Sequence, residues 1–545
     1  MRRRYFMLLL VAFFSAAFLA MGPEAFELIY FAFRSFIRMA SAYALSILFS
    51  FIFGILIIHN KKAYEFIFPV LDVLQAVPIL GFFPFAIMFF VLTFPGGMLG
   101  QELSSIFLIF TSMTWAVVFA VVESGSSITS DIRDLAKLMN LNGFRYLTHV
   151  CLPISLPQFI SGSITGWGGG WYFLVASEYL ALGNEKIALP GLGAFIARSA
   201  FSFNLLNSFI GIIALAFLVF AMDFYFWQPL LRKARAYSIQ PVTVDADAEA
   251  ENGRLVRLLE DGYSSFSRLL ERFQAKSQKI LDWLSVTPWS STSHEAVSST
   301  ASYVLTGCVA LAFFYFLLFR IPSLAEDFAI FSFMARSIIR ILVAFAIALF
   351  WTSLFALFFA RNKNVMKFMM PVFDLGQSIP AVSIFPVLVV VVIQTLGDRI
   401  GLPAALEIAS VLLVLTGMQW YLLFNLIRAV QNIPDDIMDI SKLLHMGTIS
   451  RLRHLLIPAI MPAVFVGALE AIGGGWNASI VSEFIISPAG TPYDLPGLGN
   501  LLSLSSVQGN LDGVFLAVSC ITLLILIPNQ LIWRPLVRES YKYKF

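Results

Sequence analysis

Charge is scarce in this chain. Asp, Glu, Lys and Arg make up 13% of its 545 residues, where a soluble domain carries roughly 25%. That shortage excludes a water-exposed surface over most of the protein. Cysteine is scarcer still. Cys151, Cys308 and Cys520 are the only three, and they fit neither a disulfide framework nor a metal spacing. Catalytic signatures are missing as well. The chain has no Gly-Lys dipeptide, so it cannot contain the GxxxxGK[ST] loop that cradles phosphates. It has no HExxH, no GxSxG and no Cys/His cluster. These absences leave no site for an ATPase and no catalytic cluster for a membrane enzyme.

What fills the chain is apolar. Hydrophobic residues make up 59%, and mean hydropathy is +0.83. The runs 70–94, 205–227 and 338–360 carry few or no charges. Each is long enough for a helix to cross a hydrocarbon core of about 30 Å, which takes about 20 residues. Arg2-Arg3-Arg4 and the apolar run up to Met21 have the shape of a signal peptide. A similar run at 303–319, where nothing can be cleaved as a signal, favours a retained helix.

The chain repeats itself. Arg34-Ser35-Phe36-Ile37-Arg38 matches Arg336-Ser337-Ile338-Ile339-Arg340 at an offset of 302. At that offset Pro69, Asp72, Gln75, Pro78 and Pro84 meet Pro371, Asp374, Gln377, Pro380 and Pro386. At 305, Trp115, Asp134, Pro153 and Pro157 meet Trp420, Asp439, Pro458 and Pro462. So do Gly168-Gly169-Gly170-Trp171 and Gly473-Gly474-Gly475-Trp476, and Glu178 and Glu483. At 306, Pro190-Gly191-Leu192-Gly193 meets Pro496-Gly497-Leu498-Gly499. A fixed period with so little drift means a duplicated structural unit.

Each copy reads as six spans, near 5–21, 35–58, 70–94, 103–122, 157–182 and 206–229, then 302–319, 337–360, 372–396, 406–427, 462–487 and 511–533. The expected fold is therefore an all-α membrane protein of two parallel six-helix repeats, twelve spans in total. The expected units are 1–235, a cytoplasmic linker at 236–296, and 297–545. Cytoplasmic loops are enriched in Lys and Arg. With both termini inside, only Arg34, Arg38, Lys186, Arg198, Arg320, Arg336, Arg340 and Arg399 of the 36 Lys and Arg residues fall outside. Six spans is even, so the copies run parallel about an axis along the membrane normal. The linker carries a polar stretch at 243–253, then apolar residues from Leu255 to Leu284 at helical spacing, the pattern of an amphipathic helix.

The longest cytoplasmic loop of each copy lies between spans four and five. Asp134-Leu135-Ala136-Lys137 matches Asp439-Ile440-Ser441-Lys442 there. Leu152-Pro153 and Ile457-Pro458 follow at matching intervals. Each loop reads as a short surface helix ended by proline. This pattern resembles the "EAA" loop of ABC importer permeases, which runs Glu-Ala-Ala, three residues, Gly, then a fixed interval to Leu-Pro. Here Asp134 and Asp439 stand for Glu, and Asn140 and His445 stand for the family's Gly. Gln75-Ala76-Val77-Pro78, Gln377-Ser378-Ile379-Pro380 and the two Pro-Gly-Leu-Gly runs are similar to the nitrate/sulfonate/taurine/bicarbonate branch.

The resemblance implies a type I importer-like permease for a small polar solute, an oxyanion or sulfonate. It implies two cytoplasmic ATP-binding subunits that carry the ATP and Mg, and an extracytoplasmic solute-binding protein. No cofactor or metal is expected in this chain. The alternatives are a metal ion or vitamin precursor as solute, or a secondary transporter, which would not explain two matched docking loops. In the family the loop helix docks on the ATPase, which carries that role onto Asp134, Leu135, Ala136, Lys137, Asn140 and Pro153, and onto Asp439, Ile440, Ser441, Lys442, His445 and Pro458.

Candidates for the path are Gln75, Gln377, Gly169, Gly474, Trp171, Trp476, Glu178 and Glu483. An intramembrane carboxylate is a functional candidate by default; Glu470 and Asp223 are two more, with Thr165 and Asn529 at the matching positions. The glycine triplets allow either close helix packing or a flexible gate. Arg34 and Arg38, like Arg336 and Arg340, are four apart and share a helix face. At an outer mouth they would attract anions; the plainer expectation is that they snorkel to lipid phosphate.

Overall fold

The computed structural model describes residues 22, 24–59, 61–95, 98–126, 128, 130–139, 150, 152–179, 189–234, 304, 306–311, 313–315, 324–484 and 495–540. Among these residues every regular element is helical. Eight helices are long and apolar enough to cross a membrane, or nine if one bent pair is a single span. The first span expected in each copy lies wholly or largely outside the described residues. The linker at 236–296, Asn140 and Lys186 lie outside them too.

The first copy begins with α1, Glu24–His59, whose first turn carries Glu24 and Glu27, a favourable place for acids against the helix dipole. It starts well before the expected span at 35–58. Arg34 and Arg38 therefore sit inside a helix and not at its outer end. Next comes a break. Helix α2, Lys61–Ala76, is followed by a 3-10 turn, Ile79–Phe82, and α3, Phe83–Thr93. The two limbs meet at 97°, so the apolar run 70–94 is not one straight span. Pro78 is the cause. It has no N–H to continue the helical ladder, and proline drives the residue before it out of the α region.

Then follow α4, Met98–Ser126, and α5, Ser130–Leu138. Helix α6 is Leu152–Tyr179, α7 is Leu192–Phe201 and α8 is Leu205–Met222. Helix α8 runs on through a π-helical turn, Asp223–Trp227, into α9, Gln228–Ala234.

The second copy repeats this order. Helix α10, Leu324–Phe359, has 36 residues like α1. Helices α11, Lys363–Ser378, and α12, Ala381–Ile400, are split by Ile379 and Pro380. Ile379 is extended, at φ −84 and ψ 117. Then come α13, Leu402–Gln431, α14, Asp435–Leu443, and α15, Thr448–Arg451. A π-helical turn, Leu452–Leu456, leads into α16, Ile457–Glu483. Helices α17, Leu498–Val507, and α18, Leu511–Pro528, follow. The turn Asn529–Trp533 and α19, Arg534–Ser540, close the unit. Pro153 and Pro458 do not end the loop helices as expected. Each is the second residue of a long helix; in the second copy the π-helical turn before it shifts the hydrogen-bond ladder where proline lacks its N–H.

In each copy span four packs between spans two and five: α4 against α1 and α6, α13 against α10 and α16. Lipid offers no hydrophobic drive between helices, so small residues bring backbones together. A Cβ on Gly162 would lie 2.6 Å from the Ala116 carbonyl oxygen, and one on Gly166 2.9 Å from that of Met113. Across the copies, α12 packs on α6 and α7, and α2 meets α18. One buried core takes residues from both copies, among them Leu28, Trp171 and Phe195 with Val389, Leu413 and Trp476. Asn477 of the second copy accepts the Ile79 amide of the first at 3.0 Å.

Candidate functional site

The loop helices between spans four and five, α5 and α14, share one design. The small residues Ala136 and Ser441 face inward and are buried. Ala136 packs with Ile128 and Val150. Their neighbours face out. Leu135, Leu138 and Met139 are exposed, and so are their counterparts at the same offset, Ile440, Leu443 and Leu444. Leu138 and Leu443 are 82% and 77% exposed, too much for a cap that merely covers the bundle. Asp134 and Asp439 are exposed on the same helices, which also carry Lys137 and Lys442. Two matched apolar patches rimmed by charge mark an interaction surface.

His445 stands just past α14 with φ +48. The Met446 amide reaches back to the Ser441 carbonyl at 3.1 Å, the closure of a Schellman end. That end normally takes glycine at the left-handed position. The backbone thus takes a left-handed turn at a position where glycine is the usual residue. The two helices are anchored differently. Arg361 pairs with Asp435 at the start of α14, and its Nη1 donates to the Ile433 carbonyl at 2.8 Å. Aligned positions in the first copy hold His59 and Ser130.

At the ends of the spans opposite α5 and α14, each copy holds a charge cluster. Arg38 is 1% exposed. Its Nη1 donates to Glu178 at 2.7 Å, and its Nε and Nη2 donate to Glu102 at 2.5 and 2.6 Å. Arg34 adds an ion pair to Glu102. Glu178 also accepts from the Ser35 hydroxyl at 2.6 Å and from the Gly193 amide at 2.8 Å. The Leu192 amide donates to Ser35 Oγ at 3.0 Å.

The second copy repeats the cluster. Arg340 donates to Glu483 at 2.9 Å and to Glu407 at 2.6 and 2.7 Å. Ser337 and the Gly499 amide donate to Glu483 at 2.7 Å each. Arg336 is exposed and makes no ion pair among the described residues.

This geometry corrects the expectation of four arginines around an outer mouth. Arg38 and Arg340 are buried against carboxylates that cancel their charge, so they cannot focus anions from solution. Glu178 and Glu483, at 0% exposure, belong to these clusters and do not line a path. The Pro-Gly-Leu-Gly runs explain themselves here. Each opens a short helix whose first amides bind the cluster. A Cβ on Gly191 or Gly497 would fall 2.2 Å from the Glu178 or Glu483 carboxylate. Glu102 and Glu407 escaped the sequence reading, although they match at the offset of 305 that aligned their neighbours. So did the hydroxyl pairs Ser105–Ser177 at 2.6 Å and Ser410–Ser482 at 2.8 Å.

Other path candidates divide. Trp171 and Trp476 are buried, and Trp171 meets Trp167 edge-on at 6.0 Å; both are core residues. Gly170 and Gly475 are close-packed against Met113, Met39 and Met418. Gly168 and Gly169 are exposed, and a Cβ on either, or on Gly473, would meet nothing within 4 Å. A Cβ on Gly474 would instead lie 2.9 Å from the Tyr421 ring. Gln75 and Gln377 are exposed near the broken third spans, with Gln75 donating to Asp72 at 3.1 Å.

Two repeated helical units, with spans long and apolar enough to cross a membrane, define a multi-pass membrane protein. The family model of "binding-protein-dependent transport system inner membrane component" matches residues 46–234 and 348–534, and the chain belongs to that family. It is similar to the nitrate import permease protein NrtB of Synechocystis, with 27% identity over 178 residues, 33% of this chain and 59% of that protein. It is 25% identical over 162 residues to the bicarbonate transport system permease protein CmpB of Synechococcus elongatus, covering 30% of this chain and 54% of that protein. A probable ABC transporter permease protein of Brucella melitensis is 24% identical over 192 residues, 35% of this chain and 72% of that protein. The match thus spans a little over half the length of the two cyanobacterial proteins.

Proposed function

We propose that the two fused units enclose one path for a small polar solute, an oxyanion or sulfonate, driven inward by ATP hydrolysed on separate subunits. Two cytoplasmic ATP-binding subunits, holding ATP and Mg, dock on α5 and α14. A solute-binding protein delivers the solute from outside. Both termini lie in the cytoplasm of the cell membrane. The observation that carries this reading is the duplicated cytoplasmic surface: Leu135, Leu138 and Met139 matched by Ile440, Leu443 and Leu444, all exposed. Neither lipid nor a solute in transit needs such a pair. Nitrate and bicarbonate as solutes rest on the names of the relatives.

The test is reconstitution in liposomes with the ATP-binding and solute-binding subunits. Nitrate, bicarbonate and sulfonate uptake should require ATP inside the cytoplasmic face. Substituting Asp134 and Asp439 with Lys should weaken both co-purification of the ATP-binding subunit and uptake. Retention of both would remove α5 and α14 as the coupling elements.

A further inference from the structure

The two copies also differ in the residues between spans four and five. In the second half of α13 and midway along α16 the second copy presents Tyr421, Asn425 and Glu470, where the first copy has Ala116, Ala120 and Thr165. In the first copy those alanines close the gap to span five: a Cβ on Gly162 would lie 2.4 Å from the Ala120 Cβ. In the second, Asn425 donates its Nδ2 to Glu470 at 2.8 Å and to the Tyr421 carbonyl at 2.9 Å. Glu470 is exposed, and Tyr421 is 45% exposed.

The Tyr421 ring lies against Gly474 of its own copy. Tyr421 lies within electrostatic reach of Glu470 and of Tyr172 on α6. The Tyr172 hydroxyl is buried with no hydrogen-bond partner. One turn from Tyr172, Gly168 and Gly169 leave open space. So a carboxylate, two phenol rings and an unmade hydrogen bond lie within reach of one another, contributed by both copies.

A carboxylate offers about four acceptor positions, and Glu470 has one donor among the described residues, Asn425. Arg428 lies within electrostatic reach but makes no ion pair with it. An acid at this depth is costly unless it faces water or a partner. Its natural complement is a cationic N–H donor, and aromatic rings add to the attraction for a cation. A simple oxyanion would meet repulsion here.

Resting on the importer reading above, we propose that Glu470, Asn425, Tyr421 and Tyr172 form a one-sided site in the path that takes the protonated amine of a small organic solute. The second copy supplies the charge, and the first supplies room and one hydroxyl.

The experiment uses the full chain with its ATP-binding and solute-binding subunits in liposomes. ATP-driven uptake is measured for 2-aminoethanesulfonate, ethanesulfonate and nitrate, at equal saturation of the solute-binding protein. The wild type should take up 2-aminoethanesulfonate about tenfold faster than ethanesulfonate, the scale of one charge-assisted hydrogen bond. Glu470→Gln should lose that preference, and Glu470→Asp, which keeps the charge, should retain most of it. Uptake of nitrate or ethanesulfonate without preference for the amine would overturn the amine site and leave the importer reading intact. Equal behaviour of the Gln and Asp variants would overturn it too. No ATP-driven uptake of any probe would count against both.

Discussion

Arg38 and Glu178 meet at 2.7 Å across the interface of spans two and five, where neither side chain reaches solvent. Removing one partner of a buried pair leaves the other charge uncompensated, at a cost of about 3–5 kcal/mol. Glu178→Gln should therefore lower thermal stability in detergent sharply, and Glu483→Gln should do the same through Arg340. Arg336→Gln, on an exposed side chain, should leave the melting temperature nearly unchanged. A melt in which all three variants behave alike would remove the clusters as structural anchors.

The glycines make a second contrast. Gly191→Ala places a methyl group against the Glu178 carboxylate, and Gly497→Ala does so at Glu483. Both should reduce the yield of folded protein. Gly168→Ala meets open space and should fold normally, with alanine favouring the helix by up to about 1 kcal/mol. Size-exclusion profiles of the three variants separate these outcomes.

His445 holds a left-handed backbone that costs a side-chain-bearing residue about 1–2 kcal/mol. His445→Gly should stabilise the end of α14 by about 1 kcal/mol. His445→Val, with a branched Cβ, should destabilise it. Hydrogen exchange at the amides of α14 reads the effect locally, and slower exchange in the Val variant would contradict it.

Leu138 and Leu443 project from α5 and α14. Leu138→Asp and Leu443→Asp should abolish co-purification of the ATP-binding subunit while leaving the melting temperature of the permease chain within about 2 °C, since exposed substitutions rarely change stability by more than about 0.5 kcal/mol. Binding that survives in both variants would place the docking surface elsewhere.

Much of this architecture was readable before any coordinates. The offset from Arg34 to Arg336 exposed the duplication, and apolar length marked the spans. Helix ends were less legible, because the first turns of α1 set Glu24, Glu27 and Arg34 among apolar residues, and those charges lower the hydropathy there. Pro78 and Pro380 signalled a break, yet the run around them is so uniformly apolar that length outweighed it. The charge clusters were half visible. Their arginines stood out, but Glu102 lies between spans three and four, a region read as loop, and only tertiary packing joins it to Arg38. Spacing along one helix shows which residues share a face; it does not show what that face meets.

The break at Pro78 also sets a thickness. From Ile79 to Thr93 the third span of the first copy has four residues of 3-10 helix and eleven of α-helix, roughly 22–25 Å of rise. Its counterpart α12 has 20 residues, about 30 Å. Phe89 and Leu92 near the end of the short span are exposed. The other spans match in length between the copies, so the mismatch is local to the third span, and a membrane answers a short span by thinning beside it. Transport by this chain should consequently vary with the acyl length of the lipids around it, with an optimum set by that short span.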